Sequence, residues 1–170
     1  ALPDTGFAPQ TVTSLPPQPS DMEYKNLGNL WLEIPELGIT APILGIPENS
    51  GNWNLNWLSS QVGWLEGTAF PTWAGNSALT AHVYQADGTP GPFKDLGLLH
   101  WGDLIIVHYD QQEYIYQVRK VSRTISPYNS SVLRHEEFPW LTLITCRGYD
   151  PVSDSYRWRT AVRAVQVRIK

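Results

Sequence analysis

The feature that most restricts this chain is how often its apolar stretches are cut: thirteen glycines and fourteen prolines punctuate 170 residues. Gly frees the backbone and Pro removes an N–H donor, so both end regular elements and start turns. Residues 30–34 and 39–46 are apolar runs separated by Pro35 and Gly38, which reads as strand, turn, strand. Residues 77–83, bounded by Gly75-Asn76 and by Asp87-Gly88, read as another strand, and residues 103–108, 113–125, 140–145 and 156–169 are strand-like too. Tyr114, Tyr116, Val118 and Lys120 alternate with Ile115, Gln117 and Arg119, the period-2 pattern of a strand with two different faces. Helical spacing is brief. Leu55, Leu58 and Val62 share one side of a short helix expected over residues 54–62, and Phe93, Leu96 and Leu99 fit a helical turn or two. This rhythm predicts an all-β fold with short helices, its sheet closed or nearly closed into a barrel.

The length suits one domain with its own core. Residues 1–25 differ in character: Pro3, Pro9, Pro16, Pro17 and Pro19 alternate with Thr, Ser and Gln, which predicts an extended segment ahead of a folded unit over residues 26–170. Near the start stands Leu2-Pro3-Asp4-Thr5-Gly6, which taken alone suits a β-turn. A net charge of −4 argues against nucleic acid as a partner, because phosphate binding needs a basic face. No apolar stretch is long enough to span a bilayer.

Histidines 82, 100, 108 and 135 are scattered without metal-ligand spacing, and no phosphate-cradling glycine loop occurs. Asp87, Asp110, Asp150, Asp154, Glu136 and Glu137 fall in loops without tight ligand spacing, so neither a metal nor a cofactor is expected. What remains is one cysteine, Cys146, at the end of a strand-like run and followed by Arg147-Gly148-Tyr149. A thiol nucleophile needs a partner acid and a donor for the oxyanion. On position alone, a packed thiol and a reactive one are equally open readings.

Thr142-Leu143-Ile144-Thr145-Cys146 resembles the TLxTC motif of sortases, the cysteine transpeptidases of bacterial cell surfaces. Residues 75–82, ending in His82, resemble the segment that carries the sortase histidine. Phe93-Lys94-Asp95-Leu96 with Gly102-Asp103, and then Arg159-Thr160-Ala161-Val162-Arg163-Ala164, resemble the stretches that follow it in the family. The matches occur in family order over residues 30–169.

The resemblance implies an eight-stranded sortase-type barrel with Cys146 as nucleophile, His82 as acid and base, and Arg159 as the cation that stabilises the oxyanion and holds substrate carbonyls. Thr145 and Arg157 are further candidates for substrate binding. Arg157 is the reserve for Arg159, and a surface ion pair with Asp150 or Asp154 is the alternative for either. The implied partners are surface proteins bearing an LPxTG-type signal and an amine acceptor, a cell-wall cross-bridge or a pilin lysine. The implied location is the outer face of a bacterial membrane. In this light Leu2, Pro3, Asp4, Thr5 and Gly6 have the form of a sorting signal, a self-substrate or pseudosubstrate for this groove or a neighbour's; an appended tag is the other reading. The rival functions are a non-catalytic peptide-binding barrel and a cysteine protease acting mainly as a hydrolase.

Overall fold

A computed structural model describes residues 1–170. Ten strands form: β1 (Lys25–Ile34), β2 (Ile39–Ile46), β3 (Glu48–Asn49), β4 (Asn52–Trp53), β5 (Val62–Leu65), β6 (Gly75–Thr80), β7 (Leu104–Tyr109), β8 (Gln112–Ile125), β9 (Pro139–Asp150) and β10 (Ser155–Ile169). Eight of them close into a barrel in the order β1-β2-β5-β6-β9-β10-β8-β7, and β7 pairs back onto β1. β3 and β4 make a separate hairpin. The expected all-β barrel is therefore the observed fold. No helix is long and apolar enough to cross a membrane.

The barrel interior follows from strand alternation. Leu30, Leu32 and Ile34 point inward from β1 and join Tyr116 and Val118 of β8, Leu141 and Leu143 of β9, and Val162 and Ala164 of β10. β6 is buried along its whole length although half its residues are polar, and the Asn76 and Thr80 side chains are satisfied by donating to the carbonyls of Val132, Arg134 and Ile144. Phe93, Leu96 and Leu99 are fully buried, but the helical turn expected there is a single 3₁₀ turn, Leu96–Leu98.

Residues 54–62 form no helix, contrary to the spacing. Two successive turns replace it, with Leu58 N–H donating to the Leu55 carbonyl and Gln61 N–H to that of Leu58. Ser59 between them has φ 57°, and the Asn54 side chain accepts from Asn56 N–H in a local turn. Leu55 and Leu58 pack on Ile46 as anchors of a loop, and Val62 already opens β5. Apolar residues three apart mark one buried side in either conformation.

Two pairings of β9 decide where chemistry can occur. β6 lies beside β9 in parallel register with Thr80 opposite Ile144. Two residues onward, His82 comes level with Cys146. β10 runs antiparallel to β9 on its other side with Arg159 opposite Cys146. Backbone pairing alone thus carries three side chains to one end of the barrel.

Residues 1–19 lie against that same end. Leu2 N–H donates to Pro127 O at 2.7 Å, Phe7 N–H to Tyr84 O at 3.1 Å, and Gln10 N–H to Gly88 O at 2.9 Å. Further on, Trp57 Nε1 donates to Pro16 O at 2.8 Å.

Candidate active site

Cys146, His82 and Arg159 are 1%, 1% and 6% exposed, buried together beneath residues 2–7. Thr5 N–H donates to Cys146 Sγ at 3.2 Å, and Cys146 N–H donates to Thr5 Oγ1 at 3.1 Å. The Thr5 hydroxyl stands 3.5 Å from Thr145 Oγ1, which itself donates to Ala81 O at 2.8 Å. Since Thr145 spends its proton on Ala81, it can only accept from Thr5, and a chain of hydroxyls links Cys146 to the end of β6. Thr5 O accepts from Val83 N–H at 2.9 Å. Arg159 Nε donates to Pro3 O at 3.0 Å, while its Nη1 donates to the carbonyls of Tyr156 and Trp158. Those two contacts fix the guanidinium before any peptide arrives.

Side chains of the segment alternate in burial. Leu2, Pro3 and Thr5 are buried, and Asp4 is exposed. A Cβ added at Gly6 would come within 2.6 Å of Val83 Cγ1 and 2.8 Å of Tyr156 Cε2, so this position accepts only glycine without movement. Phe7 meets the His82 ring edge-on at 5.3 Å, and its carbonyl accepts from Tyr156 Oη at 2.7 Å.

Burial governs the electrostatics. It pushes the Cys146 thiol up to about 12; the nearby Arg159 charge opposes this and Asp4 reinforces it. Burial lowers the His82 pKa, against the opposing pull of the Thr5 and Leu55 carbonyls and the Asp4 charge. Neither His82 nitrogen finds a partner within hydrogen-bond geometry. Under the segment the pair is held as neutral thiol and neutral imidazole. The thiol lies 3.4 Å from Asp4 Oδ1, an acceptor for its proton, and Sγ itself accepts from Thr5 N–H.

The other residues singled out by sequence separate cleanly. Thr145 lies in the site. Arg157 is exposed, pairs with Asp150 at 3.2 Å and makes no hydrogen bond to residues 1–7. Arg163 sits farther along β10, donating to Thr142 Oγ1 at 3.2 Å. Arg157 and Arg159 are two residues apart in unbroken register with β9, yet Arg157 is exposed and Arg159 is buried, so shared parity does not give the arginines a shared environment. Sequence reasoning missed four contributors: the Val83 N–H, the Pro127 carbonyl, Tyr156 Oη and Gly91. A Cβ at Gly91 would overlap the His82 carbonyl, so this glycine lets the following loop support the histidine backbone. Backbone donors carry no signature, and only a tertiary neighbour distinguishes Gly91 from any loop glycine. No group of three or more His, Cys, Asp or Glu side chains gathers as a metal site would require.

Comparison with known proteins agrees with this geometry. The family described as Sortase domain matches residues 32–167. The chain belongs to the sortase family. Sortase C-1 of Actinomyces oris is 26% identical, with a TM-score of 0.65 over 82% of this chain and 73% of that one. Sortase E1 of Streptomyces coelicolor, solved with a tripeptide in its active site, is 26% identical with a TM-score of 0.64 over 83% and 88% of the two chains. The sortase D5 transpeptidase of Clostridium perfringens is 22% identical with a TM-score of 0.65 over 86% and 83%, a likeness of fold. Curated protein sequences give no match. Family and fold make this sortase a transpeptidase.

Proposed function

We propose that this sortase cleaves an LPxTG-type signal between Thr and Gly and transfers the acyl group to an amine, and that its own residues 2–6 act as a pseudosubstrate. The observation that carries the reading is the match between residues 2–6 and the groove, residue by residue. Leu and Pro are buried, the variable position is exposed, the Thr hydroxyl is bound on both sides, and glycine is required next.

In the forward reaction a separate signal takes the place of the segment. Its proline carbonyl is held by Arg159, as Pro3 O is now. The Cys146 thiolate attacks the Thr carbonyl carbon, and charge develops on an oxygen that Val83 N–H already faces in the resting arrangement. Of the two roles that the resemblance implies for Arg159, stabilising the oxyanion and holding substrate carbonyls, its hydrogen bond to Pro3 O supports the second. His82 as imidazolium gives a proton to the departing Gly amine, and as imidazole takes one from the incoming amine. The acting partners are surface proteins with LPxTG-like signals, on the outer face of a bacterial membrane.

Mass spectrometry of the full chain with an LPDTG-containing peptide tests this. A covalent adduct of the acyl mass should form and vanish in Cys146→Ala. An adduct of equal yield in that variant overturns the assignment. A ligated product with oligoglycine distinguishes a transpeptidase from a hydrolase, and peptide binding without any adduct would point to the binding-barrel alternative.

A further inference from the structure

A second concavity borders Cys146, and residues 2–6 leave it open. This cavity of about 450 Å³ is lined by Lys94, Arg123, Arg147 and Asp95, and it reaches Cys146 and Thr145. Two of the guanidiniums converge there: Arg123 Nε and Arg147 Nη1 each lie 3.6 Å from where a Gly97 side chain would begin. Arg123 Nε donates to the Gly97 carbonyl at 2.8 Å, which fixes its side chain. No carboxylate pairs with either arginine; the chain's ion pairs fall on other cations. Asp95 approaches only Lys94, at 3.9 Å. Three cations against one carboxylate give this cavity a positive field in an otherwise acidic protein.

We infer that this cavity is the acceptor subsite and that it selects amines carrying a carboxylate, held by Arg123 and Arg147. The inference rests on the transpeptidase reading above and names its second substrate. The donor side is already accounted for. Leu2 contacts Pro127, Pro3 contacts Arg159, and Phe7, Gln10 and Thr13 follow residues 84–88. Neither half of a bound signal fills the cavity, whose one contribution from the segment is Pro9 at its edge. An open, cationic space that touches the nucleophile suits the third participant. In the transfer step the amine nitrogen bonds to the thioester carbonyl carbon and the carbon–sulfur bond breaks. One amine proton ends on the released Sγ, giving an amide and the free thiol. Guanidinium forks hold the carboxylate, because they match it with two parallel donors and stay charged.

Glycylglycine and glycylglycinamide, which differ in the acceptor carboxylate, test the inference with the full chain and an LPDTG-containing donor peptide. Ligated product with glycylglycine should exceed that with the amide about tenfold at subsaturating amine, the size of one charge-assisted hydrogen bond. Arg123→Gln/Arg147→Gln should erase this preference, and Arg147→Gln alone, at an exposed side chain, should reduce it. Arg123→Lys/Arg147→Lys should keep part of it. Equal use of the two amines, or a preference that survives in the double Gln variant, overturns the inference. So does a carboxylate effect that appears in donor KM alone. Titration calorimetry of glycylglycine into Cys146→Ala separates the two readings. Salt-sensitive binding lost in the double Gln variant supports the subsite even if no ligated product forms, a result that would count against the transpeptidase reading alone. Absence of both binding and preference removes the subsite.

Discussion

The two sides of Cys146 are built on different terms. Toward His82 the groove meets residues 2–7 with a backbone or side-chain partner at nearly every step, and shape excludes even one methyl group at Gly6. Toward Arg147 the cavity offers charge and space and few fixed contacts. A site that hydrogen-bonds a hydroxyl and a carbonyl discriminates steeply, since a wrong ligand leaves buried partners unpaired. A site that offers solvent-exposed charge discriminates by class of ligand. The donor should therefore be read residue by residue and the acceptor only by its charge.

The harshest way to break the comparison is Arg159→Ala. It removes the donor to the Pro3 position and leaves the carbonyls of Tyr156 and Trp158 unpaired, so kcat/KM for an LPDTG peptide should fall on the order of 100-fold or more. Arg157→Ala should change it by less than about twofold, as expected for an exposed ion pair. A comparable loss in both would erase the distinction between the two arginines.

Next in size is Thr→Val at the signal's fourth position. The isosteric methyl leaves Cys146 N–H unsatisfied, a cost of about 1–3 kcal/mol, and Thr→Ser should be milder. Steady-state kinetics on the three peptides checks the order. Gly91→Ala should lower kcat through a displaced His82 and alter the pH profile of kcat.

Smaller effects concern the resident segment. Gly6→Ala in the chain should lift it, by the clash with Val83 and Tyr156, and speed alkylation of Cys146 several-fold. An unchanged alkylation rate would show that the segment does not shield the thiol. The segment's hold should also depend on pH. His82 is neutral when covered, so the covered state binds fewer protons than the released one, and acid below about 6.5 favours release. The covered thiol keeps its proton up to about 12 against an ordinary 9.0, so alkali above about 9 favours release as well. Proteolysis within residues 1–13 should be slowest between these limits.

Much of the barrel was legible because alternation and turn residues act locally. β2 was read to the residue and β7, β8 and β10 within one residue at each end, whereas β9, expected to end at Thr145, continues through Cys146 to Asp150. The segment at residues 54–62 was misread because Leu55 and Leu58 reveal burial without revealing backbone path. Cys146, His82 and Arg159 were legible through motif resemblance. The contrast between Arg159 and Arg157 became visible only in the fold, since parity does not say which residues cover a strand: Arg159 lies under residues 2–7 and reaches Pro3 O, whereas Arg157 is exposed and pairs with Asp150.

By itself, then, the sequence determined a closed or nearly closed barrel, a single thiol behind a strand-like run and a signal-like pentapeptide near its start, because these depend on residue type and near neighbours; that β9 runs on through Cys146 to Asp150 it did not show. Tertiary structure alone decided that the pentapeptide lies against its own chain's thiol, that Val83 N–H faces its Thr carbonyl, and that Arg123 and Arg147 converge over Gly97. Each of these joins residues far apart in the chain through strand register and loop packing, which local sequence does not encode.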